Sequence, residues 1–208
     1  MTRVKVCGIR RPEDARLAVA LGADAIGFIF WPSSPRFVDP SEARPIVAQM
    51  PAFVATVGVF VDQPADHVAD VARGLNLTAV QLHGDEQVAE YDQLPQKVVK
   101  AVAVRDEAAA ARAIAALPPE VTVLLDAHDP IKRGGTGRTI DWGVAARLAQ
   151  RRAVILSGGL TAENVREAVE AVRPYAVDVS SGVESQPGVK DEGRMRAFFD
   201  ALGKHRER

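Results

Sequence analysis

Three side chains stand where a folded chain can offer chemistry to a ligand. Cys7, the only cysteine, closes the short run Arg3-Val4-Lys5-Val6 immediately before Gly8. A thiol leaving a strand into a glycine turn can face a pocket, and its thiolate is a competent base or nucleophile. The plainer reading of a lone cysteine is a small buried hydrophobe. Asp126 ends the apolar run Val121-Thr122-Val123-Leu124-Leu125. A carboxylate there must be paired, solvated in a pocket, or kept protonated, and burial favours the protonated acid. A helix cap or a structural ion pair explains it equally well. Arg36 follows Trp31-Pro32-Ser33-Ser34-Pro35, a proline-stiffened segment from which a guanidinium can grip a substrate carboxylate with two parallel hydrogen bonds; a solvated surface charge is the alternative.

Glycine-rich segments form a second group of candidates. Ser157-Gly158-Gly159 and Ser180-Ser181-Gly182 follow two late apolar runs, and Gly134-Gly135-Thr136-Gly137 follows Asp126. Glycines let backbone N–H groups approach an anion, and a helix N-terminus adds a favourable dipole. The chemistry indicated is phosphate binding, with Gly134, Gly135 and Gly137 as a lid over the same ligand; tight turns alone are the competing explanation. Asp178 can order such a loop or simply cap it. His83, in Gln81-Leu82-His83-Gly84, can titrate, donate to a ligand, or stabilise a turn. Lys100, inside a strand-like run, is a Schiff-base candidate only if it is interior and near the strand's end, and it reads as lower-layer structure.

The elements that must position these residues are legible as an alternation. Apolar, β-branched runs occur at 4–7, 25–30, 55–61, 79–82, 98–104, 121–126, 153–157 and 176–180. They lack clean polar alternation, as expected of parallel strands covered on both faces. Between them lie helical patterns at i, i+3, i+4, i+7: Val68, Val71, Ala72 and Leu75; Ala110, Ala113, Ile114 and Leu117; Val165, Ala168, Val169 and Val172. Pro12 and Pro64 suit first-turn positions, Asp106 and Thr161 suit N-caps, and Gly22 suits a C-terminal cap. Eight β/α units in a chain of this length predict a single (β/α)8 TIM barrel over residues 1–208. A doubly wound sheet is the rival, but no Gly-x-Gly-x-x-Gly follows the first strand. In a barrel, the candidates above other than Lys100 fall at or just after strand exits on one rim.

The 208 residues are 47% hydrophobic and 25% charged with a net charge of -1, which points to a globular protein with no general attraction to nucleic acid or an anionic membrane. A single cysteine excludes an internal disulfide and fits a reducing, cytoplasmic setting. The chain enters its first strand at once, leaving no room for a signal peptide, and no apolar run approaches the ~20 residues of a membrane helix.

Taken in order, several segments resemble the phosphoribosylanthranilate isomerase family. They are Lys5-Val6-Cys7-Gly8-Ile9, Gly27-Phe28-Ile29-Phe30, Ser34-Pro35-Arg36, Gly58-Val59-Phe60-Val61, Gln81-Leu82-His83-Gly84, Gly134-Gly135-Thr136-Gly137 and Asp141-Trp142. Leu156-Ser157-Gly158-Gly159-Leu160, Asn164-Val165, Asp178 through Glu184, Pro187-Gly188 and Lys190-Asp191 complete the set, which spans nearly the whole chain. Arg10, where threonine is commoner, and Ile140, where phenylalanine is commoner, depart from the pattern, and residues 128–133 have no assigned role. The resemblance implies a (β/α)8 enzyme of tryptophan biosynthesis that performs an Amadori rearrangement by acid–base chemistry, with neither metal nor redox cofactor. It implies Cys7 as general base, Asp126 as general acid, Arg36 on the anthranilate carboxylate and the last two glycine loops on the phosphate. The expected partner is the small phosphosugar–anthranilate substrate, with a homodimer or association with other tryptophan-pathway enzymes also in view. The rivals are a histidine-pathway aldose–ketose isomerase, which should carry Asp rather than Cys7; an aldolase, which should need Lys100; and a catalytically silent phosphate-ligand barrel.

Overall fold

A computed structural model describes residues 2–127 and 140–203. Eight parallel strands close into a barrel in sequence order: β1 (Arg3–Cys7), β2 (Ala25–Ile29), β3 (Ala55–Phe60), β4 (Ala79–Leu82), β5 (Lys97–Val104), β6 (Thr122–Ala127), β7 (Val154–Leu156) and β8 (Ala176–Val179). Each predicted run contains its strand to within a residue or two at either end, and β1 pairs with β8 to complete the ring. Helices α1 (Pro12–Ala20), α2 (Pro40–Val47), α3 (Ala65–Gly74), α4 (Glu107–Ala115), α5 (Trp142–Ala149), α6 (Val165–Val172) and α7 (Glu192–Ala201) pack around it. The fourth unit departs from the expected alternation. Its helix is replaced by a 3-10 turn, Val88–Tyr91, whose Tyr91 hydroxyl donates to the Gln63 carbonyl at 2.6 Å. After β8 a 3-10 turn, Ser181–Val183, leads into an antiparallel hairpin, β9 (Glu184–Gln186) and β10 (Val189–Lys190).

Strand alternation divides the apolar residues into two cores. Outward-facing side chains such as Val4, Val6, Phe28, Phe60, Val80 and Leu125 meet the apolar faces of the helices in one large cluster. Val99, Leu124, Ile155 and Ala176, with Ala101, form a small apolar plug inside the barrel. The same parity corrects the reading of Lys100. One residue from Val99, it points away from the interior, and its Nζ donates to the Gly84 carbonyl and to Glu86, each at 2.7 Å. A Schiff-base role inside the barrel is ruled out by that orientation.

Local punctuation follows the chain closely. Pro12 opens α1, Gly22 follows its C-cap at φ 99°, and Asp106 accepts from Ala109 N–H at 2.8 Å to cap α4. Pro64 stands at the cap of α3 rather than inside its first turn. Thr161 is not the cap of α6: the helix begins at Val165, and Asn164 bridges the preceding turn by accepting from Thr161 N–H at 2.8 Å and donating to the Gly159 carbonyl at 2.9 Å. Ala113, expected on the buried stripe of α4, is exposed, and Ala110 and Ile114 carry the contact. Among the described residues, no helix is long and apolar enough to cross a membrane.

The end of α4 is tied down from outside. Arg152, between α5 and β7, donates to the carbonyls of Ile114, Leu117, Pro118 and Val121, setting a cation against the C-terminal end of the helix and its exit loop. Replacing Arg152 with Met should lower unfolding stability by about 1–2 kcal/mol, read as a lower urea midpoint with an unchanged slope.

Candidate active site

Inward-facing residues at the strand exits place Cys7, His83, Asp126, Ser157 and Ser180 on one rim, and Lys5, Gln81 and Asp178 one pleat below. On the β1–β8 side, Lys5 Nζ lies 3.0 Å from Asp178 Oδ1, both side chains being buried. Asp178 is therefore matched to a lysine inside the barrel and not to the glycine loop it was expected to order or cap. Cys7 sits above this pair in space left by Gly27 on β2, where a Cβ would come within 2.8 Å of the sulfur. Burial pushes the Cys7 thiol above its ordinary range; Lys5 pulls it back, Asp178 pushes it up again, and Lys190 adds a smaller pull downward. Burial opposes the charge on Lys5 too, but Asp178 and Cys7 outweigh it and hold the ammonium above its usual value.

Across the barrel, Asp126 is buried at 6% exposure on β6. Its Oδ2 lies 3.0 Å from His83 Nε2, and His83 Nδ1 lies 2.7 Å from Gln81 Nε2. His83 is thus neither an isolated turn residue nor a free ligand donor. It links the candidate acid to a buried amide.

Arg36 is 7% exposed, so the surface-charge alternative fails. Its Nε donates to both carboxylate oxygens of Glu184, at 2.9 and 3.0 Å, and its Nη2 donates to Oε2 at 2.8 Å. A guanidinium carries five N–H groups in a fixed plane, and Glu184 takes the Nε–Nη2 edge. The Nη1–Nη2 edge is the one geometry leaves for a second planar anion. Glu184 is held in turn by Lys190 Nζ at 2.9 Å, and Lys190 also donates to the carbonyls of Cys7 at 2.6 Å and Ser180 at 3.2 Å. Burial alone would raise the Glu184 carboxyl, but Arg36 and Lys190 outweigh it and hold it below the usual carboxylate range.

The two late glycine segments meet as expected. Ser157-Gly158-Gly159 leaves β7, and Ser181 and Gly182 begin the 3-10 turn after β8. At Gly182 a Cβ would stand 1.9 Å from the Leu160 carbonyl oxygen, so no larger residue fits without moving one loop off the other. Between them opens a cavity of about 570 Å3 lined by Gly159, Thr161, Ser181, Gly182 and, from α7, Arg194. Ser180 Oγ is buried without a hydrogen-bond partner among the described residues. Gly134, Gly135 and Gly137, with the 128–133 stretch, lie outside the described residues. Among the described residues, no group of three or more His, Cys, Asp or Glu side chains is placed to hold a metal ion.

Lys5, Gln81, Glu184, Lys190 and Arg194 belong to this rim or its support and were not singled out from sequence. A buried lysine two residues before a candidate thiol was a usable signal for Lys5. Glu184 and Lys190 fall in segments that carry the family resemblance, but their role emerges only from three-dimensional pairing.

Residues 4–201 match the family model described as N-(5'-phosphoribosyl)anthranilate (PRA) isomerase. The chain belongs to the PRA isomerase family. An N-(5'-phosphoribosyl)anthranilate isomerase from Geobacter sulfurreducens is 49% identical over 204 residues, covering 96% of this chain and 97% of that protein. A crystal structure of a PRA isomerase in complex with reduced 1-(o-carboxyphenylamino)-1-deoxyribulose 5-phosphate superposes with a TM-score of 0.87 at 43% identity, covering 98% of this chain and all of that one. Monomers of the dimeric PRA isomerase from Thermotoga maritima superpose with the same TM-score at 42% identity, covering 98% of this chain and 99% of that one. The two solved PRA isomerase structures share the fold of this barrel.

Because Cys7 is the only cysteine, its titration can be followed in the whole protein by the ultraviolet absorbance of the thiolate. The midpoint should lie above that of an ordinary thiol. Lys5→Met removes the opposing charge and leaves Asp178 unmatched, and both effects should move the midpoint further up. A midpoint that stays put in Lys5→Met would remove Lys5 from the control of this thiol.

Proposed function

We propose that Asp126 and Cys7 are the acid and base with which this barrel performs the reaction of its family. That reaction is the Amadori rearrangement of N-(5'-phosphoribosyl)anthranilate to 1-(2-carboxyphenylamino)-1-deoxyribulose 5-phosphate, a step of tryptophan biosynthesis. The observation that carries the assignment is their placement: both are buried, both face inward, and both stand at the exits of their strands, β1 and β6.

The chemistry needs two proton transfers on one substrate. Asp126 gives its proton to the furanose ring oxygen as the C1–O bond breaks, and the lone pair of the anilino nitrogen forms the C1=N iminium. Cys7 thiolate then takes the C2 proton, whose acidity the iminium has raised, and the electron pair returns to nitrogen to give the enolamine. Loss of the C2 hydroxyl proton and addition of a proton at C1 complete the ketone. The substrate's two ends are anions. The open Nη1–Nη2 edge of Arg36 suits the anthranilate carboxylate. The backbone around Gly158, Gly159, Ser181 and Gly182 suits the phosphate, with Arg194 beside it. Holding both ends turns binding energy remote from the reaction into alignment at C1 and C2. The reading extends to a homodimer, on the similarity to the dimeric enzyme of Thermotoga maritima.

Purified protein should quench the fluorescence of phosphoribosylanthranilate, with product detected through coupling to an indoleglycerol-phosphate synthase. Asp126→Asn and Cys7→Ala should each lower kcat by about 10²–10⁴-fold; turnover at the wild-type rate in either variant would remove that residue from the proton transfers. Arg36→Ala should act chiefly on KM. Because its loss also strands Glu184, the control is Glu184→Gln, which keeps the arginine and should have the smaller effect on KM. Equal KM values for wild type and Arg36→Ala would exclude a carboxylate grip.

A further inference from the structure

Gln81 is 1% exposed on β4, and its register partners on the two neighbouring strands, Val59 on β3 and Val99 on β5, are both apolar. A primary amide in such a place costs free energy unless its polar atoms are paired. Gln81 pairs only one end. Its Nε2 contacts His83 Nδ1 at 2.7 Å, while its Oε1 is buried with no partner among the described residues. An apolar side chain would fill the space at lower cost, so the contact with His83 accounts for the amide.

We propose that Gln81 is a positioning residue for the acid: by donating to His83 Nδ1 it fixes the neutral imidazole with its proton on Nε2, which donates to Asp126 Oδ2. This rests on the reading of Asp126 as the acid and deepens it. With Oδ2 committed as an acceptor, the transferable proton resides on Oδ1, the oxygen the histidine leaves open. When that proton passes to substrate, the carboxylate that forms already has a donor at 3.0 Å, so no group need reorient as charge develops. The opposite amide orientation would accept from Nδ1–H. It would force Nε2 either to accept a proton from Asp126 or to carry a positive charge beside it, and both place the acid proton against His83 rather than the substrate.

Among the described residues, the charged pairs nearest in the barrel are committed elsewhere. Lys5 on β1 pairs with Asp178 on β8, beside Cys7, and Lys190 is engaged with Glu184. By strand parity β3 presents Val57 and Val59 toward the pair and β5 presents Ala101 and Ala103, none of them titratable. Behind the His83 turn, Glu86 pairs with Lys100, and Asp62 Oδ1 accepts from Asp85 N–H.

The test is nitrogen NMR of the His83 ring in the full-length, ligand-free protein, beside steady-state kinetics of Gln81→Met and Gln81→Glu. The wild-type ring should show the neutral form protonated on Nε2. Gln81→Met should lose that single form and lower kcat about tenfold with KM within about twofold. In Gln81→Glu the ionised carboxylate can only accept, so Nδ1 should become protonated. Its kcat relative to wild type should recover as pH falls and the introduced carboxyl regains a proton to donate. The near-isosteric Glu variant keeps the test open if the Met variant folds poorly. A wild-type ring protonated on Nδ1, or a ring form identical in all three proteins, would overturn the proposal. The NMR result does not depend on turnover, so it separates failure of this role for Gln81 from failure of Asp126 as the acid, which Asp126→Asn reads directly.

Discussion

The ladder between β1 and β8 brings the first and last strands of the barrel into register, Lys5 opposite Asp178 and Val6 opposite Val179. Much of what is chemically interesting depends on that pairing. It puts the Cys7 and Ser180 exits side by side, so that one ammonium, Lys190, can donate to both carbonyls. It also sets a lysine against an aspartate 173 residues away in the chain, at a depth where either charge alone would be costly. A slip of one residue would turn Asp178 into the apolar layer under the helices and leave Lys5 unmatched in the interior. The buried pair penalises every register but one, and that is a better account of its presence than any direct gain in stability.

Around the rim, charge is distributed by task. The Cys7 side, built on β1 and β8, is rich in ammonium groups: Lys5 and Lys190 both favour the anionic form of the thiol against the burial that opposes it. The opposite side, built on β4 and β6, presents Asp126 to an imidazole that is itself in contact with an uncharged amide. On the proposed assignment, the base is thus faced by cations and the acid by dipoles. Between them Arg36 is held rigid by Glu184 along one edge, which fixes the plane in which the other edge can receive a ligand.

How much of this was legible in the sequence depended on whether a residue's role is local. Strand runs, the cap at Asp106, the C-terminal glycine at Gly22 and the positions of Cys7 and Asp126 at strand exits are properties of a few neighbouring residues, and all were readable. The cap of α6 was misplaced because Thr161 and Asn164 are both good cap residues three apart, and only the loop's path selects the second. The fourth helix was overcounted because the segment after β4 winds only a single 3-10 turn, a difference in winding that leaves little trace in composition. Lys100 reads from sequence as lower-layer structure, whereas the parity that Val99 establishes turns it outward. The partners of Arg36 and of His83 lie 148 and 43 residues away, and no spacing rule reaches that far. The family resemblance supplied the roles of single residues but said nothing of the ionic scaffold that orients them.

Since β1 is completed only by β8, a chain emerging from the ribosome carries an unsatisfied β1 edge until residues 176–179 are available. The hairpin holding Glu184 and Lys190 emerges later still, and it supplies the ammonium on the carbonyl of Cys7 as well as the carboxylate that orients Arg36. Early in synthesis the thiol therefore has Lys5 beside it but neither Asp178 to match that lysine nor Lys190, and it sits on a sheet with an open edge. The ring of groups around the thiol and Arg36 is complete only once the 184–190 hairpin has joined the barrel.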